Sequence, residues 1–159
     1  MAEQLSPRLP DSRAASRLKA LLSLVARPAD LWLAVRTLGW MSVLPVLKRL
    51  MPLPRLVRLM WLPARASERH LDGERRTTRV VSRLSRASGG NCLERSLILY
   101  RYLARANADP NLVVGMGKSD EFLGHVWVTV DGQPVLDSPE TLREYTEVVR
   151  FGVGGAQEP

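Results

Sequence analysis

The sequence predicts an α+β fold, in which a helical N-terminal segment precedes a core made of a helix packed on a small antiparallel sheet. Residues 12–71 place apolar residues at helical spacing and are interrupted by prolines, whereas the chain after residue 111 alternates apolar strand-like runs with turn signals. We therefore expect four regions: a flexible N-terminus (1–11), a basic amphipathic helical segment (12–71), the core (72–151) and a flexible tail (152–159).

Charge is distributed unevenly along the chain. The net charge is +7, and residues 1–75, with 13 Lys and Arg against 6 Asp and Glu, hold all of it. The arginines alternate with leucines and form no recognition motif, so we expect no nucleic-acid partner. A membrane-spanning helix needs about 20 mostly uncharged residues, whereas cations and prolines recur here, so residues 31–62 are predicted to lie on a membrane surface or a partner at most, and more simply to pack on the core.

The predicted compartment is the cytoplasm. Residues 1–12 lack the apolar stretch of a secretory signal, and the single cysteine cannot form an internal disulfide. No metal-ligand or phosphate-loop pattern is present, so we expect neither a metal nor a cofactor.

Three helices are expected before the cysteine. Ser12 can cap the first, Pro28 suits the first turn of the second, and Gly39 is expected to end the second, which runs from Asp30 to Leu38. The third covers residues 72–87. Its predicted inward residues are Thr77, Val80, Val81 and Leu84, and its predicted solvent-facing residues are Arg76, Arg79, Arg83 and Arg86.

Cys92 is predicted to lie in the first turn of a fourth helix. Asn91 can cap this helix, and Glu94 can reach back to the backbone N–H of the cap. The unpaired N–H groups and the positive end of the helix dipole favour a thiolate there. The same amides could stabilise an oxyanion, with the Asn91 side chain as a second donor.

His125 and Asp137 lie on the two sides of an expected hairpin around Asp131-Gly132. A two-residue turn would place Val126 opposite Asp137, so that His125 would point to the other face of the sheet. A three-residue turn would place His125 opposite Asp137. We predict the three-residue turn because it lets the imidazole meet the carboxylate.

Together, Cys92, His125 and Asp137 match the nucleophile, base and orienting acid of a cysteine hydrolase. Each residue also has a simpler explanation. The cysteine could be buried and inert, the histidine could be a polar residue at a strand end, and the aspartate could cap the loop Ser138-Pro139-Glu140.

Residues 75–140 resemble the transglutaminase-like domain of lasso-peptide B proteins, which are leader peptidases. The resemblance lies in Asn91-Cys92-Leu93-Glu94-Arg95-Ser96-Leu97, the strand Val113–Met116, His125-Val126-Trp127, and the hairpin from Asp131 to Asp137. It implies a transglutaminase-like or papain-like core with Cys92, His125 and Asp137 as catalytic residues. Asn91 and Trp127 are expected to support the site or its oxyanion.

The resemblance also implies a reaction and partners. Cys92 would attack the bond between leader and core of a precursor peptide, and an ATP-dependent cyclase similar to asparagine synthetase would use the freed amine. No fused leader-binding domain is predicted in residues 1–75, so a separate small leader-recognition protein is expected. Two alternatives remain open at this level: an acyltransferase with the same triad, and a non-catalytic scaffold that binds a peptide or membrane.

Overall fold

A computed structural model describes residues 28–64, 68–88, 91–118 and 123–158. The helix predicted after Ser12 and the glycine pair Gly89-Gly90 lie outside these residues. The helices are α1 (Pro28–Leu50), α2 (Leu53–Met60), α3 (Leu71–Ser88), α4 (Cys92–Arg105) and α5 (Pro139–Leu142), with a short 3₁₀ turn at Val153–Gly155. The strands are β1 (Asn111–Gly117), β2 (Gly124–Val130), β3 (Gln133–Pro134), β4 (Tyr145–Phe151) and β5 (Gln157–Glu158).

The strands form one antiparallel sheet in the order β3-β2-β1-β4-β5. β1 is central, and it pairs along its length with β2 on one side and β4 on the other. The mixed fold of helices and antiparallel sheet confirms the predicted α+β class. The strand β4 was not predicted from the sequence.

Helix α4 is the centre of the molecule. It contacts α1, α2 and α3 as well as strands β1 and β2. Apolar residues occur on every side of it, and a helix of that kind must be covered all round. Six of its side chains are at most 1 % exposed: Ser96, Leu97, Ile98, Leu99, Tyr100 and Leu103.

The described helices before residue 72, α1 and α2, belong to the same core as the sheet. Leu44 of α1 and Leu56, Val57 and Met60 of α2 are buried in one apolar cluster with residues of α4 and the strands. The predicted packing of these helices on the second half therefore agrees with the structure. No separate helical region ends at residue 71.

Helix α1 is longer than predicted. It continues through Gly39, the expected end, and through Pro45, and stops at Leu50. Glycine in a helix costs about 1 kcal/mol relative to alanine, which packing can offset. Buried Ala34, Thr37 and Leu44 supply that packing along the inner face.

The outer face of α1 is apolar as well. By length and composition α1 could cross a membrane, although core helices of soluble proteins share both properties, and 22 % of its most apolar stretch is buried. The exposed apolar residues, called here the outer face of α1, are Leu31, Trp32, Val35, Leu38, Val43, Val46 and Leu50.

The predicted inward face of α3 is confirmed, since Thr77, Val80, Val81 and Leu84 are all buried. All four arginines of this helix that the sequence analysis names were predicted to face solvent. For Arg76 and Arg79 this prediction is wrong in part, because their side chains also approach a buried residue. Arg76 Nε lies 3.1 Å from the carboxylate of buried Asp30 in α1, and Arg79 Nη1 lies 3.8 Å from it. A carboxylate in this position needs a cationic neighbour to offset its desolvation.

The C-terminal segment folds back onto the core, so the expectation of a flexible tail after residue 151 is wrong for residues 152–158. Strand β5 pairs with β4, and Gly155 is buried against α2. A side chain at Gly155 would meet the Arg58 backbone at 2.8 Å, and φ there is +69°, so both space and conformation require glycine.

Tyr100 attaches this segment to α4. Its hydroxyl donates to the carbonyl of Gly152 and accepts from the N–H of Gly155 at 3.0 Å. Burial raises the pKa of Tyr100 above its usual value. The phenol therefore remains a neutral donor that satisfies two backbone groups.

We predict that Tyr100→Phe lowers the free energy of unfolding by about 1–3 kcal/mol, because both backbone groups lose a buried partner. Chemical denaturation followed by circular dichroism measures the change. Tyr145→Phe is the matched control, since Tyr145 is only partly buried; a change within about 0.5 kcal/mol is expected there. Equal changes in both variants would contradict the assigned role of Tyr100.

Candidate functional site

Cys92 is the first residue of α4, as predicted, and Asn91 is the N-cap. The Asn91 side-chain oxygen accepts the N–H of Leu93 at 2.9 Å and lies 3.6 Å from the Cys92 sulfur, which can donate to it. That oxygen serves as the cap, while the amide nitrogen is the side-chain donor of Asn91 that could bind an oxyanion. That role of Asn91 remains a prediction.

Glu94 does not fulfil the role that the capping-box pattern assigned to it. Its carboxylate accepts a 2.7 Å hydrogen bond from Lys48 Nζ of α1. A carboxylate that is mostly buried gains more from an ammonium partner than from a neutral amide. The ion pair links the start of α4 to the end of α1.

The hairpin after β2 has a two-residue turn, so the predicted three-residue turn is wrong. Val130 pairs with Gln133 across Asp131 and Gly132, whose φ values are +51° and +74°. Positive φ at both central residues is typical of the type I′ turn, which matches the twist of the strands.

His125 and Asp137 nevertheless meet. His125 Nε2 lies 3.1 Å from Asp137 Oδ1, and both side chains are less than one-fifth exposed. With a two-residue turn, His125 and Asp137 were expected to lie on opposite faces of the sheet, which assumed that the strands pair as far as Asp137. In the structure, the strand pairing of β3 ends at Pro134, and residues 135–137 form a bend. The bend directs the carboxylate to the imidazole independently of strand register.

Arg95 holds the same carboxylate from the opposite element. Its Nη2 lies 2.9 Å from Asp137 Oδ1 and 3.2 Å from Oδ2, so Oδ1 is shared by the imidazole and the guanidinium. Arg95 projects from α4, so this contact connects the helix that begins with Cys92 to the bend after β3. Asp137 is thereby fixed from two sides.

Aromatic rings pack against the imidazole. The His125 ring stacks with Trp127 at a centroid distance of 6.0 Å and contacts Tyr145 of β4 at 5.0 Å. Gly115 on the intervening strand β1 makes room for this cluster, since a side chain there would lie 2.7 Å from the Trp127 ring. Trp127 therefore supports the orientation of His125, while an oxyanion role for it remains a prediction.

Cys92 lies at the same end of the helix–sheet interface as the histidine–aspartate pair. It precedes Arg95 by three residues and Ser96 by four, so it neighbours each of them on the surface of α4, with Cβ atoms about 5–6 Å apart. Ser96 donates a buried 2.8 Å hydrogen bond to the carbonyl of Val126, the neighbour of His125. The structure thus gathers Asn91, Cys92, His125, Trp127 and Asp137 into one region.

Three residues of this region were not predicted as site residues: Arg95, Tyr145 and Gly115. The spacing of Arg95 from Cys92 was a readable signal, because residues three apart share a helix face. Tyr145 belongs to a strand that was not predicted. Within the described residues, no group of three His, Cys, Asp or Glu side chains could hold a metal ion.

Comparison with known families agrees with this geometry. A model described as Transglutaminase-like superfamily matches residues 33–150, which is well over half of the chain. The chain belongs to the transglutaminase-like superfamily. The match begins inside α1, so the family domain includes the helical segment that the sequence analysis had separated from the core. No curated protein and no solved structure matches significantly.

Alkylation of the single cysteine tests whether this transglutaminase-like domain activates its thiol. We expect iodoacetamide to modify Cys92 near neutral pH at least about tenfold faster than in His125→Gln, because the imidazole removes the thiol proton. Mass spectrometry measures the rate.

His70→Gln is the control for this labelling experiment. His70, the only other histidine, accepts the N–H of Gly73 at the start of α3. Its replacement is expected to leave the Cys92 rate unchanged. Equal rates in the wild type and His125→Gln would rule out His125 as the base.

Proposed function

We propose that this protein is a cysteine peptidase that removes the leader from a ribosomally made lasso-peptide precursor. The observation that carries the proposal is the 3.1 Å contact between His125 and Asp137 beside the helix that begins with Cys92. The superfamily match is compatible with peptidases and with acyltransferases. The resemblance of residues 75–140 to lasso-peptide B proteins supports the specific substrate.

The proposed chemistry assigns one role to each residue. Asp137 bonds to Nε2 of His125, which leaves Nδ1 as the proposed acceptor of the Cys92 thiol proton. The Cys92 thiolate attacks the carbonyl carbon of the bond between leader and core, and His125 returns the proton to the leaving amine. Water, deprotonated by His125, then hydrolyses the thioester, which releases the leader carboxylate and restores the thiol.

Stabilisation of the tetrahedral intermediate falls to backbone amides at the start of α4, which point towards the developing oxyanion. The Asn91 side-chain nitrogen is the proposed second donor.

Release of the leader frees the amine of the core peptide, and the proposed next enzyme is an ATP-dependent cyclase similar to asparagine synthetase.

The test uses a lasso-peptide precursor and a small leader-recognition protein, both to be sought among the genes that neighbour the gene for this protein. We expect mass spectrometry to detect the separate leader and core with the wild type. Cys92→Ala should slow cleavage by at least about 10³-fold, because the nucleophile is lost, while folding and peptide binding persist.

Inclusion of an amine such as glycine ethyl ester distinguishes hydrolysis from acyl transfer in the same assay. A leader that carries a free carboxylate supports the peptidase. A leader joined to the added amine would replace the peptidase by the acyltransferase alternative. An intact precursor with every acceptor would overturn both enzymatic functions and favour a non-catalytic scaffold.

We propose that the separate leader-recognition protein docks on the outer face of α1. A helix that is apolar all round is normally covered on every side, whereas Trp32, Val35 and Val46 are more than half exposed. The excess positive charge of residues 1–75 favours a partner with an acidic rim.

Paired substitutions of exposed valines test this docking. Val46→Asp is expected to weaken binding of the small partner at least about tenfold, since it puts a charge into an apolar contact. Val148→Asp, at an equally exposed valine of β4, is the control and should bind normally. Calorimetry measures the affinity. If Val46→Asp still binds the small partner but no longer binds anionic phosphatidylglycerol vesicles, the outer face of α1 contacts a membrane instead.

A further inference from the structure

A cavity lies beside the candidate catalytic residues. It has a volume of about 290 Å³ and lies between the end of α3, the first turns of α4 and the bend that carries Asp137. Ligand sites typically measure about 300–1,000 Å³, so this cavity has room for one side chain rather than a whole ligand. The described residues that line it are Ser82, Ser85, Arg86, Arg95 and Leu136.

Two of the lining residues keep buried polar atoms that find no hydrogen-bond partner within the described part of the chain. These atoms are the Ser85 hydroxyl oxygen and Arg95 Nε. Ser85 is 9 % exposed. Unpaired buried polar groups cost about 1–3 kcal/mol each, and such groups at an active centre are commonly satisfied by a ligand.

The cavity is electropositive. Two of its five lining residues are arginines, none is acidic, and the adjacent Asp137 offsets only one of the two positive charges. Arg86 Nη2 donates a 2.6 Å hydrogen bond to the Ser82 hydroxyl, which holds its guanidinium in place before any ligand arrives. Arg86 is also exposed, so the cavity can be reached from solvent.

We propose that this cavity is a subsite that binds a carboxylate side chain of the peptide on which Cys92 acts. Arg86, Arg95 Nε and the Ser85 hydroxyl supply donors, and a carboxylate accepts from all of them without leaving a buried donor unpaired. This proposal rests on the proposed peptidase function in one respect only, which is the identity of the peptide that supplies the carboxylate. Arg95 touches both the subsite and Asp137, so an occupied subsite contacts the group that orients His125.

Nuclear magnetic resonance titration tests the subsite without any need for cleavage. N-acetyl-L-aspartate N-methylamide is added to the ¹⁵N-labelled full chain, and its asparagine counterpart is the neutral control. We expect the acid to shift the Arg95 and Arg86 Nε–H resonances saturably and the amide not to shift them. Equal shifts with both probes, or none with the acid, would overturn the subsite.

Matched variants distinguish binding of the acid probe inside the cavity from its attraction to the overall positive charge of the protein. Arg86→Gln and Ser85→Ala are each expected to weaken the acid probe about threefold to tenfold. Arg55→Gln removes the same charge from an exposed position of α2 outside the cavity and should leave binding unchanged. An equal loss with Arg55→Gln would reduce the effect to long-range charge and refute the proposal.

Ser85→Ala also separates binding from folding. The hydroxyl finds no hydrogen-bond partner among the described residues, so its loss should not lower the melting temperature while the probe affinity falls. A large drop in melting temperature with unchanged affinity would make Ser85 a structural residue and count against the subsite.

Cleavage kinetics supply the second test if the precursor is cut. Each Asp or Glu near the cleaved bond is replaced in turn by Asn or Gln. One replacement is expected to lower kcat/KM about tenfold for the wild type and much less for Arg86→Gln, because the two changes remove the same contact. Additive losses would refute the subsite while leaving the peptidase intact.

Discussion

The burial of the apolar side chains of helix α4 is the constraint on which the rest of the structure depends. A helix with apolar side chains on every side cannot be covered by a sheet alone, so β1 and β2 contact it together with α1, α2 and α3. Helices α1 and α2 are therefore part of the transglutaminase-like domain, and the superfamily match accordingly starts inside α1. Cys92, in the first turn of α4, is only partly buried.

Asp137 joins the side chains of the candidate site near the start of α4. One carboxylate oxygen accepts from both His125 and Arg95, which come from a strand and from the cysteine-bearing helix. Contacts from two elements over-determine the position of the carboxylate, so it does not depend on the pairing of a two-residue strand. Arg95 also extends from this contact into the electropositive cavity, which connects the orienting acid to a place where a substrate group can bind.

The two surfaces of α1 differ in what they do. Its inner face supplies Leu44 to the common core and Asp30 to the arginines of α3, while its outer face exposes apolar side chains along the whole helix. Burial of one face accounts for the stability of the helix in the domain. The exposed outer face is the surface on which the leader-recognition protein is proposed to dock.

The sequence by itself determined the features that depend on neighbouring residues. Asn91 before Cys92 predicted a capped helix start, the spacing of Thr77, Val80, Val81 and Leu84 predicted the buried face of α3, and the order of Cys92, His125 and Asp137 predicted a candidate site. Capping and amphipathic spacing act within one or two helical turns, so they can be read without knowledge of the fold.

Tertiary structure decided what depends on partners distant in the chain. Packing carried α1 through Gly39 and Pro45, Lys48 took Glu94 away from its predicted cap, and Tyr100 fixed the C-terminal segment. The bend after Pro134 joined His125 to Asp137 although the turn length was predicted wrongly. Each of these outcomes rests on contacts between residues far apart in sequence, whose free energies exceed the local preferences that the sequence pattern expresses.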